Sequence, residues 1–316
     1  MNKIIQRIAN TIVANLANTE AIGLFNGKIG VCLFLYKYSQ YSGCKIYENI
    51  ASELLDDILS QLRPELSPSA LDGVAGVGYA LTVLLREGFL ESSPDDDVFH
   101  YIDEALLSDV RTSLMKELHA PVSLCSSGIY LLSRISFRLD EVENVWITGV
   151  IENTRLIIRT SIQNKDSLKL SLLNSMLYVF CGLYNKLEIN KIGIEKILRD
   201  LLNISEQTLS EHKYQDIDII LFKQNLMRLP LLFEREGMQL LKSVESLVSF
   251  SDMDSMNFWY DNLWWDILYD LSVFENISLV NLETYINEKI QEAFYDDMIV
   301  NSKLSAIGLW LMKKEV

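Results

Sequence analysis

The chain is short of the residues that punctuate strands and loops. It has five prolines and fourteen glycines in 316 positions, so β-turns and long linkers are scarce. Cysteine is thin too: Cys32, Cys44, Cys125 and Cys181 are spread singly, with no C-x-x-C. That spacing excludes a disulfide framework and predicts a reduced, cytoplasmic protein. Three histidines, His100, His119 and His212, fall on separate segments with no Cys-His pair and no H-x-x-x-H. A catalytic zinc needs about three converging protein ligands, so no metal and no cofactor are expected. No apolar run reaches the roughly 18 residues of a membrane span. The opening MNKIIQRIANTIVANLANTE is interrupted by Gln6, Arg7, Asn10 and Thr11 and has no signal-peptide core. Positive charge is also in deficit, with 28 Lys and Arg against 43 Asp and Glu, a net charge of −15 and a pI near 4.7. Such a surface repels nucleic acid and anionic membranes and suits a basic peptide or protein partner. A phosphate loop is excluded as well, since GKIG at Gly27–Gly30 follows no strand and lacks the full spacing.

What is present is apolar and periodic. Hydrophobic residues make up 49% of the chain and mean hydropathy is +0.14, enough for a large core. The stretch Ala21–Tyr41 opens with Gly23, Asn26, Gly27 and Gly30 and continues without charge from Ile29 to Tyr36. The same pattern returns at Leu71–Leu85, with Asp72, Gly73, Gly76 and Gly78, and more faintly at Cys125 and Ser302. Between these copies lie segments with one apolar face. Ile4, Ile5, Ile8, Ile12 and Leu16 form the first, and Tyr47, Ile50, Leu54, Ile58 and Leu62 the second. Others cover 98–114, 140–161, 191–209, 238–250 and 279–294. The more apolar partners cover 126–137, 167–184, 217–233, 258–274 and 304–312.

That alternation makes seven pairs with a period of roughly 40–50 residues. A helix apolar on most sides must be enclosed, while an amphipathic one buries a single stripe. The predicted fold is therefore all-α, one domain over 1–316, with seven inner and seven outer helices in an α/α toroid. An open α-solenoid is the alternative. Glycines at the inner-helix starts permit tight turns and close packing; free N–H groups there also suit an anion.

The motifs GLFNGKIGVCLFLYKY and LDGVAGVGYALTVLL resemble the first two glycine motifs of the lanthionine synthetase C-like family. The resemblance in layout spans the whole chain and implies a seven-fold α/α toroid. It also implies the family's chemistry, in which a zinc-bound substrate cysteine adds to a dehydrated residue of a peptide. In that family the fifth repeat supplies a zinc cysteine and the sixth a Cys-His pair. Here the corresponding segments read DIDIILFKQNLM (Asp216–Met227) and MNFWYDNLWWD (Met256–Asp266), and neither carries the ligands. The fourth, from Ser167, has no histidine. The resemblance thus implies a relative without the cyclase zinc site, a pseudoenzyme that binds a peptide or protein partner in a modified-peptide pathway. The alternative is a metal-independent enzyme of the toroid class that acts on carbohydrate or peptide through cavity carboxylates.

For that alternative the catalytic candidates are Asp72, Asp261 and Asp266, near inner-helix starts, where paired carboxylates can serve as acid and base. Asp72 also suits the cap before Gly73. Binding candidates at a central mouth are Asn26, Lys28, Ser126, Ser127, Asn174, Asn225, Trp259 and Tyr260. Phe258, Trp259, Tyr260, Trp264 and Trp265 form the densest aromatic cluster, and core packing competes with binding as its role. Cys125 has a helix start near it but no base partner in sequence.

Overall fold

In the computed structural model every regular element among the described residues is helical. The structure describes residues 2–18, 21–25, 27–63, 65–69, 72–91, 99–106, 108, 121–134, 141–164, 168–187, 190–211, 214–245, 263–269, 282–293 and 300–315. For 18, 121–127, 141–145, 164, 265, 266, 269, 293 and 300 it describes the backbone alone. The helices are α1 (Asn2–Ala14), α2 (Lys28–Ser42), α3 (Lys45–Ser60), α4 (Val74–Arg86), α5 (99–106), α6 (Pro121–Arg134) and α7 (Glu141–Asn164). They continue as α8 (Leu170–Lys186), α9 (Lys191–Ser210), α10 (Asp216–Met227), α11 (Glu234–Glu245), α12 (Leu263–Tyr269), α13 (Leu282–Ala293) and α14 (Val300–Glu315). None is long and apolar enough to cross a membrane.

The two kinds of helix expected from hydropathy are both present. In α2 an unbroken run from Ile29 to Tyr36 is buried, and α4 is buried from Val74 to Gly78 and from Ala80 to Leu84. By contrast α3 buries only Ala51, Leu54, Leu55 and Ile58, and α11 only Gly237, Leu240 and Val244. The α2–α3 connection is short because Gly43 takes φ 69° at the end of α2, a left-handed conformation that costs glycine little.

Some boundaries differ from the sequence reading. The apolar run 217–233 is not one helix: α10 stops at Met227, and a 3-10 turn occupies Leu231–Phe233. Pro230 has no N–H to donate and pushes Leu229 away from helical geometry. Helix α6 starts five residues ahead of Ser126, with Pro121 in its first turn, where proline is tolerated.

The chain divides into two compact units, residues 1–102 with 252–316, and residues 103–251. In the first, α2 packs on α3, α4 and α14, and α14 also packs on α1, α12 and α13. The last helix therefore lies against the first two. In the second, α6 packs on α8 and α8 on α10, while α7, α9 and α11 follow one another on the other side. Glycines mark the closest approaches. A Cβ on Gly308 would lie 2.3 Å from the Phe34 ring, and one on Gly30 2.7 Å from Trp264. In the second unit Gly128 meets Val179 at 2.6 Å and Gly182 meets Leu132 at 2.7 Å, a reciprocal pair across α6 and α8.

Candidate functional site

The two glycine motifs build the same backbone turn. Ahead of α2, Gly27 is extended, and the first helical N–H, that of Lys28, donates to Ala21 O at 2.8 Å. Ahead of α4, Gly73 is extended, and the Val74 N–H donates to Ser67 O at 2.9 Å. Each bond reaches seven residues back. A Cβ on Gly27 would stand 2.5 Å from Ala21 O, and one on Gly73 1.8 Å from Ser67 O, so no larger residue fits either turn. The Ile29 N–H is likewise taken by Ile22 O at 3.2 Å, and the Gly73 N–H by Ser69 O at 3.1 Å. These N–H groups are taken within their own turns, in keeping with glycines that serve close backbone approach.

Lys28 begins α2, where the helix dipole disfavours a cation. Asp57, in the last turn of α3, offsets this: Lys28 Nζ donates to Asp57 Oδ2 at 2.6 Å. That hydrogen bond holds the Asp57 carboxyl below its ordinary range. Asp72 is exposed and accepts a long bond, 3.5 Å, from Ser67 Oγ. It is not the cap of α4; Gly73 occupies that position and no side chain caps the helix. Lys28 and Asp72 thus have separate partners.

Of the aromatic cluster, Trp264 is placed in the core of the first unit, 4% exposed. Its Nε1 donates to both the O and Oγ of Ser302 at 3.1 Å, and its ring stacks on Phe25 at 5.8 Å. Ser302 Oγ donates in turn to the carbonyl oxygens of Phe25 and Leu24. Next to it, Asn301 Nδ2 donates to Asn15 O at 2.8 Å. Trp264, Ser302 and Asn301 therefore clasp the start of α14 to the turn before α2 and to the end of α1. The sequence reading passed over Ser302 and Asn301, although the faint fourth copy of the motif begins at Ser302.

In the second unit the structure brings Asn174 and Asn225 together. Asn174 Nδ2 donates to Asp218 O at 2.7 Å, and Asn225 Nδ2 donates to Asn174 O at 2.9 Å. Both are buried between α8 and α10. Asp218 completes a capping box with Gln215 at the start of α10, and burial raises its carboxyl above the usual range. A further polar group has no signature in the sequence. Tyr130 Oη donates to Asp103 Oδ1 at 2.7 Å and Arg134 Nη2 to Asp103 Oδ2 at 3.0 Å. Burial drives the Tyr130 hydroxyl well above its ordinary pKa, so it stays a donor and acts as a brace.

Asn26, Phe258, Trp259, Tyr260, Asp261, His119 and His212 lie outside the described residues. Cys125, Ser126, Ser127, Trp265 and Asp266 are placed by backbone alone, within α6 and α12. His100 is exposed on α5. Among the described residues no three His, Cys, Asp or Glu side chains gather to hold a metal. No protein family, no curated protein and no solved structure matches this chain.

Proposed function

We infer that this chain is a lanthionine synthetase C-like protein without the cyclase zinc site. On this reading it is an α/α toroid that acts in the cytoplasm as a non-catalytic binding partner of a peptide or protein in modified-peptide biosynthesis. One observation carries the reading. The last predominantly apolar helix, α14, lies against the first, α2, and the neighbours run in chain order within each unit: α12, α14, α2, α4 in one, α6, α8, α10 in the other. Such a succession of enclosed helices within each unit is in keeping with the layout that the glycine motifs resemble. The recurrence of one backbone turn ahead of α2 and α4 supports a true internal repeat. What supports a binding role rather than cyclase chemistry is the sequence of the apolar segments that resemble the family's fourth and fifth: the fourth, with Asn174, has no histidine and the fifth has no cysteine. The surplus of Asp and Glu favours a basic peptide.

The test is titration of the purified chain with fluorescent basic and acidic peptides of equal length, followed by anisotropy. The expected result is saturable binding of the basic peptide, weakened about tenfold or more by Trp259→Ala or Tyr260→Ala, as for buried aromatic anchors. Failure to bind any peptide would defeat the reading. So would turnover of a dehydrated peptide into a thioether by the zinc-supplemented protein.

A further inference from the structure

Solitary exposed apolar side chains are normal on a protein surface, but a cluster of them marks a contact surface. Four large hydrophobic residues stand exposed between 227 and 238, at the corner where α10 turns into α11. Leu231 is 87% exposed, and Met227, Leu232 and Met238 are each at least half exposed. The corner is held firmly from beneath. Pro230 and Phe233 are buried, and the Phe233 N–H donates to Pro230 O at 2.8 Å. Helix α11 doubles back on the turn: a Cβ on Gly237 would lie 2.9 Å from Leu229 Cδ1 and 3.6 Å from Leu226 O. Met227 follows Leu226 and Met238 follows Gly237, so the backbone brings the two methionines together across the turn that carries Leu231 and Leu232. From α9, the Arg199 guanidinium lies 5.4 Å from the Phe233 ring centre, and its Nη1 is 3.8 Å from Glu236 Oε1. The apolar side chains are thus presented on an ordered turn, and covering them costs little backbone freedom.

Two charged residues at the rim are uncommitted. Glu234 and Arg235 open α11, both are exposed, and neither has a hydrogen bond or ion pair among the described residues. They do not serve each other, since adjacent residues of a helix do not face one another. We propose that this corner is the surface through which two copies of the chain associate, with Met227, Leu231, Leu232 and Met238 of one copy meeting the same residues of the other. A two-fold contact sets a patch against itself, so its rim must carry both signs if it is to attract. Glu234 and Arg235 supply one of each. The wider charge distribution points the same way. Residues 103–251 hold 19 Asp and Glu against 17 Lys and Arg, whereas the rest of the chain holds 24 against 11. Two copies of net charge −15 repel, and the repulsion is least where they meet through the nearly neutral unit. A strongly charged partner gains little from a rim of balanced sign. Four side chains make the centre of an interface rather than the about 800 Å² per partner of a stable one, so the dimer is weak, with a Kd on the order of 10–100 μM.

Sedimentation equilibrium of the full chain, from about 1 μM to about 0.5 mM, reads the association. The expected result is an average mass that rises from 36.2 kDa toward twice that value. Leu231→Asp and Leu231→Lys should each weaken the dimer about tenfold or more, with helical circular dichroism unchanged, because the side chain is exposed in the single chain. Loss in both variants separates an apolar contact from a change of net charge. The rim has its own test. Glu234→Arg makes the uncommitted pair wholly positive and Arg235→Glu makes it wholly negative. Each variant alone should associate less than wild type, and an equal mixture of the two should recover association; a mixture no better than either variant would overturn the two-fold contact. A mass that stays at one chain throughout would overturn the proposal, as would a dimer untouched by both Leu231 variants, which must form through another surface. So would vesicles of neutral phosphatidylcholine that capture wild type but not Leu231→Asp while no dimer forms, since a lipid surface would then be the occupant.

Discussion

A methyl group on Gly27 would sit 2.5 Å from the Ala21 carbonyl oxygen, and one on Gly73 1.8 Å from that of Ser67. Backbone must move in either case, so Gly27→Ala and Gly73→Ala should each cost about 3 kcal/mol or more, in the range of strained backbone sites. Gly43 has φ 69° and open space around it, so Gly43→Ala should cost only about 1 kcal/mol. Urea denaturation of the three variants checks the order; equal losses would mean the two turns are not held as described. At Lys28–Asp57 the partners are 15% and 48% exposed, and such a pair contributes under about 1 kcal/mol. The sign of its pH dependence follows from the lowered carboxyl of Asp57. Its contribution is present above the unfolded carboxyl value, about 3.9, and is lost as pH falls through the lower folded value. Wild type and Asp57→Asn should therefore differ slightly at neutral pH and converge in acid, measured by denaturation at each pH. Burial also raises the thiols of Cys32 and Cys181, the latter to about 12. A thiol reagent at mildly alkaline pH should label Cys44 before either of them in the folded protein, and labelling in the reverse order would contradict their burial.

At the scale of the helix, the α2–α14 contact turns on one glycine. A Cβ at Gly308 would fall 2.3 Å from Phe34 Cε2, while Phe34 itself is fully buried. Gly308→Ala should cost about 1–3 kcal/mol by overpacking. Phe34→Leu in the same chain should return part of that, giving a coupling of at least about 0.5 kcal/mol in a double-mutant cycle. Strict additivity would mean that the two helices do not meet there. The helices themselves were largely legible, because apolar spacing reports how much of a helix is enclosed. The distinction between α2, buried nearly all round, and α3, buried on one stripe, could be read before any coordinates. The breaks were less legible. Pro230 could be read as a stop, but the hydropathy of Met227, Leu231 and Leu232 argued for burial, and all three are exposed, at 60%, 87% and 53%. The polar pairs were least legible. Asn174 and Asn225 are 51 residues apart, and Asp103 and Arg134 are 31 apart, so nothing local marks them as partners. Asn174 and Asn225, named as mouth candidates, hydrogen-bond α8 to α10.

Over the whole molecule the charge is unevenly shared. Residues 1–102 and 252–316 hold 24 Asp and Glu against 11 Lys and Arg, whereas residues 103–251 hold 19 against 17. The basic peptide proposed as partner should therefore be drawn toward the first unit, whose sequence also contains Trp259 and Tyr260, and anisotropy titrations at rising salt should show its binding weaken as the attraction is screened; binding indifferent to salt would count against a charge-led contact.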